Sequence, residues 1–341
     1  VQFHVQALSL DRWGAPLHPA NSRGHLAGFD QVERGSLLEL EPPAHTRLRT
    51  LVNRAFVSRA IERLRPRIEA LSHELIERFP TDQPFDLLPA FATPIPLVII
   101  CELLGVPAEE SENLLDWSHA MCGMYVPHRT REVEDIANAA ALAFHDFLTR
   151  HITAHGKAGA DDLLSSLIAV RDAGEKLSDD ELVSTCVLLL NAGHEATVHQ
   201  TGNAVKTILA QGGDPRRFFT TPETAAATVE ECLRHDAPLH MFTRYAYEDV
   251  DFGNGIVVKE GDSIGLLLGM ANRDPSAFAE PDSFLPDRPD QKNVSFGAGI
   301  HFCIGAPLAR LELQTSLKVL FERVPGLRTV EEPAYRNSFH F

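Results

Sequence analysis

Segment 178–209 limits what this chain can fold into more than any other. Ser178 and Glu181 form a capping-box pattern, in which each side chain satisfies the other's free backbone N–H, and Gly212-Gly213 stops the run that follows. A helix of that length can cross a whole domain. The other elements must pack around it.

Most of those elements are predicted to be helices as well. Over 45–56 the apolar positions Leu48, Leu51, Val52, Ala55 and Phe56 recur at helical spacing, with Arg47 and Arg54 on another face. Helical pattern continues through 58–79, 94–104, 108–122 and 130–155, divided by proline and glycine, and again through 221–235 and 306–324. Strand pattern is confined to 242–247 and to a hairpin about Asn254-Gly255 that returns along 256–259. The fold class is therefore mainly α with a small β region (α+β), without repeats or low-complexity tracts.

Composition removes several function classes. With 341 residues, 44% of them hydrophobic, the chain can build one large core, so a single domain is expected. A net charge of 31 − 47 = −16 argues against general nucleic-acid affinity. The five cysteines are odd in number and lack any C-x-x-C pair, which fits neither a disulfide framework nor a zinc or iron–sulfur centre. The most apolar stretch, 91–106, is too short to span a bilayer and is broken by Thr93, Pro94, Pro96 and Glu102. No signal peptide is visible, so a cytoplasmic protein is expected.

Two local patterns carry more chemistry. Ahead of 306–324 stands Phe296-Gly297-Ala298-Gly299-Ile300-His301-Phe302-Cys303-Ile304-Gly305. Gly299 and Gly305 permit backbone shapes and close approaches that a β-carbon would block, and the following helix start sets free N–H groups beside the sulfur. Both favour a thiolate facing a ligand, although a lone cysteine is ordinarily a small buried hydrophobe. Between His45 and Arg67 lie seven arginines (47, 49, 54, 59, 63, 65, 67), with only Glu62 and Glu69 nearby. Such a run reads as a solvated face or as a docking patch.

The cysteine loop resembles the haem-ligating signature of the cytochrome P-450 superfamily, matched by Phe296, Gly299, His301, Cys303 and Gly305. The resemblance extends from about Val5 to Phe339. It implies a haem-thiolate fold, with haem b (iron protoporphyrin IX) between the long helix and the cysteine-loop helix and Cys303 as the axial ligand. By the same resemblance His45 and Arg49 hold one haem propionate, and Arg244 and His301 hold the other. Glu231 and Arg234, with Arg288 from Phe284-Leu285-Pro286-Asp287-Arg288, form a buried structural network. The arginine-rich helix lies where an electron donor docks, which implies a ferredoxin or flavodoxin with its reductase and NAD(P)H behind it. The opening His4-Val5-Gln6-Ala7-Leu8 resembles a helix some way into the family fold. The family's N-terminal strands and final C-terminal hairpin are thus expected to be missing, as in a trimmed sequence.

Within the long helix, Leu190-Asn191-Ala192-Gly193-His194-Glu195-Ala196-Thr197 resembles the family's oxygen-binding kink, where an acid and then an alcohol deliver protons. Glu195 is the acid, but Ala196 occupies the alcohol position. Ala192 and Gly193 leave room for haem and O2 and allow a local widening of the helix. Thr197 lies about 100° further round, so it replaces the alcohol only if the register shifts. Otherwise water or a substrate hydroxyl must serve, as in the resembled family's macrolide hydroxylases with alanine there. A substrate bearing a hydroxyl or carboxyl group follows. Its contacts are expected from Leu188, Leu189, Ala192 and Ala196, and from Leu239, His240, Met241 and Phe242, with 121–126 capping the pocket. His194 reads as a non-metal residue, since no second histidine stands at a convincing metal spacing.

The expected function is a monooxygenase that inserts one oxygen atom from O2 into an organic small molecule. A peroxide-driven peroxygenase and a non-catalytic haem or small-molecule binder are the alternatives.

Overall fold

The computed structural model describes Phe3–His4 and residues 24–56, 61–125, 129–155, 162–172 and 177–335. The chain falls into two compact units. The first contains 1–55, 101–192 and 241–266, and the second contains 56–100, 193–240 and 267–341.

The first unit holds helices α1 (Ala27–Arg34), α2 (Ala44–Ala55), α5 (Ser111–Cys122), α6 (Arg131–His155) and α7 (Leu163–Asp172) and the front half of the long helix, α8 (Asp179–Ala210). Asn138 of α6 caps α1, its Oδ1 accepting from the N–H groups of Gly28 at 2.9 Å and Phe29 at 3.1 Å. The core of this unit includes Phe29, Val32, Leu114, Ala141, Phe144 and Leu148. Strand β1 (Phe3–His4) pairs antiparallel with β2 (Met241–Ala246), Phe3 opposite Ala246, and β2 is flanked on its other side by β5 (Ser263–Leu267). The predicted hairpin is β3 (Val250–Gly253) and β4 (Ile256–Val258), turned through Asn254 and Gly255 at φ of 53° and 80°.

In the second unit, α3 (Arg65–Ile76) and α9 (Pro222–His235) both pack on α11 (Ala306–Arg323). Leu313, Leu317, Leu320 and Phe321 of α11 recur at i, i+4, i+7 and i+8 and are all buried. Ile68, Leu71 and Leu75 of α3, at i, i+3 and i+7, are likewise buried. Helix α4 (Pro94–Leu103) follows a π-helical turn at Leu88–Ala92, and α10 (Leu268–Ala271) is a single turn.

Most predicted elements form where expected, with local differences. Helix α3 starts at Arg65 because Pro66 sits in its first turn. The 108–122 segment divides into a 3-10 turn at Ala108–Glu110 and helix α5. Phe3–His4 are strand, not the helix that the chain's opening resembles, and Val5–Leu8 lie outside the described residues. The widening at Ala192–Gly193 is absent: α8 keeps the α pattern from Asp179 to Ala210. Helices α1 and α7 and strand β5 have no counterpart in the predicted elements.

Candidate active site

Helix α8 begins as predicted. Ser178 N–H donates to Glu181 Oε2 at 3.0 Å, and Glu181 N–H donates to Ser178 Oγ at 3.1 Å. Glu181 also takes a two-pronged ion pair from Arg47 of α2. Burial raises the Glu181 carboxyl, but the Arg47 and Ser178 bonds outweigh it and leave the group below its ordinary range. One arginine of the basic run is therefore a helix anchor. Arg65 pairs with Glu62 and Arg67 with Glu74, while Arg54 and Arg63 stay exposed. Arg59 lies outside the described residues.

Along α8, exposure follows the helical face. Ala192 is exposed, Leu188, Gly193 and Ala196 are half-buried, and Leu189 and Thr197 are buried. With the register unshifted, Thr197 stays off the Ala192–Ala196 face, and its carbonyl accepts from Thr201 Oγ1 at 2.8 Å. Gly193 is small for a packing reason. A β-carbon there would stand 3.3 Å from Ile100 Cγ1, and Ile100 is fully buried. Glu195 is buried between two histidines, with Oε1 3.5 Å from His194 Nε2 and Oε2 3.2 Å from His199 Nε2.

The cysteine loop sits at the head of α11. Its 3-10 turn, Gly299–His301, closes through Phe302 N–H to Gly299 O at 3.1 Å, and Cys303 N–H donates to Phe296 O at 2.9 Å. Cys303 is unbridged and half-buried, and so is His301. The left-handed backbone positions are Gly297 and Gly299, at φ of 71° and 72°. Gly305 has an ordinary φ of −80°, and a β-carbon there would meet Cys303 Sγ at an unstrained 3.9 Å. The backbone freedom expected of Gly305 thus belongs to Gly297.

The Glu231 network is assembled in full. Arg234 Nε and Nη2 each donate to Glu231 at 2.8 Å, and Arg288 Nε donates at 3.0 Å. Leu285 N–H adds a bond of 2.7 Å. Glu231 and Arg234 are each 1% exposed and Arg288 is 9% exposed. Burial raises the Glu231 carboxyl, yet the bonds from Arg234, Leu285 and Arg288 hold it below the usual carboxylate range. Sequence reasoning missed the network's extension. Arg234 Nη1 donates to Asn272 O at 3.0 Å, and fully buried Asn272 bonds Ser295 Oγ and Val294 N–H, both at 2.8 Å. Ser295 Oγ donates in turn to Leu233 O at 2.6 Å. The chain of bonds ends one residue before Phe296. A single asparagine between β5 and the loop carries no pattern that would have announced it.

The remaining candidates are divided between the units. In the first, His45 is buried and Arg49 half-buried, one turn apart on α2. Arg244, half-buried on β2, makes no ion pair among the described residues and bonds only Thr243 O, at 3.0 Å. Burial lowers its pKa against the opposing field of Glu41. A desolvated guanidinium that feels Glu41 but hydrogen-bonds no carboxylate among the described residues suits an anionic ligand group such as a propionate. Met241 and Phe242 are half-buried beside it, and buried Met121 accepts from Asn191 Nδ2 at 3.6 Å. Val126 lies outside the described residues. In the second unit, Leu239 is half-buried and His240 exposed. An unbridged, half-buried thiol on a braced loop fits the thiolate ligand of an iron porphyrin.

Comparison with known proteins agrees. A family model described as Cytochrome P450 matches residues 223–324. The mycinamicin IV hydroxylase/epoxidase of Micromonospora griseorubida is 37% identical over 314 residues, covering 91% of this chain and 77% of that protein. The vitamin D(3) 25-hydroxylase of Pseudonocardia autotrophica is 39% identical over 307 residues, 89% of this chain and 74% of its own. Among solved structures, P450BioI in complex with acyl carrier protein carrying hexadec-9Z-enoic acid superposes with a TM-score of 0.88 at 33% identity, covering 99% of this chain and 85% of that one. Among the described residues no helix is long and apolar enough to cross a membrane. The chain belongs to the cytochrome P450 family and is a haem-thiolate monooxygenase, of a family that uses O2, small-molecule substrates and redox partners.

Proposed function

We propose that Cys303 is the axial thiolate of a b-type haem, with His45 and Arg49 on one propionate and Arg244 and His301 on the other. The observation that carries this reading is the braced loop: Cys303 is tied to Phe296, and the loop is reached by the Glu231–Arg234–Asn272–Ser295 bonds. When bound, the haem supplies the iron at which O2 is activated for insertion of one oxygen atom. Glu195 holds the proton to be delivered, and His199 links it to the half-exposed side of α8. Ala196 leaves no hydroxyl on that face, so ordered water or a substrate hydroxyl completes the path.

The substrate is a hydroxyl- or carboxyl-bearing molecule of polyketide or sterol-like size. The names of the mycinamicin and vitamin D(3) hydroxylases and of the polyketide-biosynthesis P450 PksS of Bacillus subtilis support that class. A ferredoxin or flavodoxin, reduced from NAD(P)H in the cytoplasm, is the electron donor. The exposed Arg54 and Arg63 support an acidic partner.

The test is the absorption spectrum of the reduced, CO-bound protein beside Cys303→Ser. A strongly red-shifted Soret band that vanishes in the variant is expected. Retention of that band without the Cys303 sulfur would refute the assignment.

A further inference from the structure

Glu230 and Glu231 are neighbours on α9, but their carboxylates serve different elements. Glu230 accepts from Nε and Nη2 of Arg310 on α11, the latter at 3.0 Å, and from Asn293 Nδ2 at 3.1 Å. The Arg310 guanidinium in turn lies over the ring of Phe296, 4.6 Å from its centroid. Phe296 is the residue whose carbonyl holds the Cys303 N–H.

We propose that Glu230, Arg310 and Asn293 form a clamp that fixes Phe296 and, through it, the backbone of Cys303. They are positioning residues that set how firmly the sulfur binds iron. The proposal rests on Cys303 as the haem ligand. The Glu231 network reaches Ser295 through Asn272 and meets the Glu230 group at Asn293, whose Oδ1 accepts from Ser295 N–H at 3.1 Å; what the Glu230 group adds is the Arg310 contact with the Phe296 ring. The Glu230 and Arg310 side chains are 18% and 32% exposed, so the pair is partly withdrawn from water and stronger than a surface ion pair. A planar guanidinium gripped by a carboxylate and stacked on an aromatic face has one orientation available, which a lysine cannot reproduce. Without the carboxylate, Arg310 is free to leave the ring, and Phe296 loses its support on that side.

The test uses holoprotein carrying Glu230→Gln, Arg310→Met, both together, Arg310→Lys and Asn293→Ala. Haem content, the Soret band of the reduced CO form, the ferric/ferrous midpoint potential and the melting temperature are read for each. Each charge-removing single variant is expected to raise the ratio of non-thiolate to thiolate band about fivefold, the equivalent of about 1 kcal/mol, and to move the potential. The double variant should be no worse than the worse single, and Arg310→Lys should not rescue. Asn293→Ala keeps both charges and gives a smaller change of the same sign, so the question stays answerable if a charge variant does not fold. A lower melting temperature with unchanged band ratio and potential overturns the clamp. A wild-type protein without the thiolate band overturns the ligand assignment itself, whereas a normal wild-type band with unresponsive variants overturns the clamp alone.

Discussion

Glu231→Gln separates charge from shape in the buried network. Glutamine fills the same volume, so no cavity opens. Its single carbonyl oxygen can still accept the Leu285 N–H, now 2.7 Å from Glu231 Oε1. Its amide NH2, however, must face the guanidinium donors of Arg234 and Arg288, which now bond the carboxylate at 2.8 to 3.0 Å. Two buried cations then lose their counter-charge. Breaking a buried pair in this way costs about 3 to 5 kcal/mol. The lower end applies here, because each guanidinium keeps bonds to main-chain carbonyls: Arg234 to Asn272, Pro281 and Ser283, and Arg288 to Ala279, Glu280 and Ser283. The assay is urea unfolding of purified holoprotein followed by ellipticity and by the haem band. A loss of about 3 kcal/mol with lowered haem content is expected, and Glu231→Asp should fall between wild type and glutamine. If Glu231→Gln lies within about 1 kcal/mol of wild type with full haem, the charge argument is wrong.

Further predictions concern titration, proton delivery and the loop. Burial and the nearby Asp30 push the Glu33 carboxyl from 4.5 to about 7, against a lowering hydrogen bond from Tyr125. A folded pKa above the unfolded one means that stability is undiminished below pH 4.5 and falls as pH climbs through about 7. Glu33→Gln should therefore gain up to about 3 kcal/mol over wild type at pH 8 and nothing at pH 4, measured by denaturant titration at both. Ala196→Thr should raise the product formed per reduced cofactor on substrates without a hydroxyl group, and unchanged coupling would count against the water or substrate role. Asn272→Ala should cost about 2 kcal/mol by unfolding, since the Val294 N–H and Ser295 Oγ lose their buried partner.

Much of this molecule was legible because its strongest signals are local. The capping box at Ser178, the amphipathic stripes and the Asn254-Gly255 turn depend on residues within a few positions of one another, and all formed as expected. Glu231 and Arg234 were readable for the same reason, being three apart on α9. Most of the losses depend on partners far away in sequence. Asn272 and Arg310 act on residues more than 10 positions off, at |i−j| of 23 and 80, and neither stands in a pattern of its own. The packing of Gly193 against Ile100 is likewise invisible in sequence, since the two are far apart along the chain. Helix α7 is short, and its ten residues carry only a weak apolar stripe. Arg47 belongs to the arginine-rich run in sequence, but its partner Glu181 stands far along the chain at the head of another helix.

The bonds that Arg234 and Arg288 send into 272–283 end on carbonyl oxygens of the main chain, at Asn272, Ala279, Glu280, Pro281 and Ser283. Every amino acid supplies that oxygen. The side chains of 279–283 can therefore drift in sequence without loosening the grip, provided the backbone keeps its path. Changes that redirect the chain are the ones that matter, above all an insertion, a deletion, or a β-branched residue at Glu280, whose φ of 48° is already left-handed. Substitutions in this stretch should thus sort by their backbone preferences and hardly at all by polarity or size.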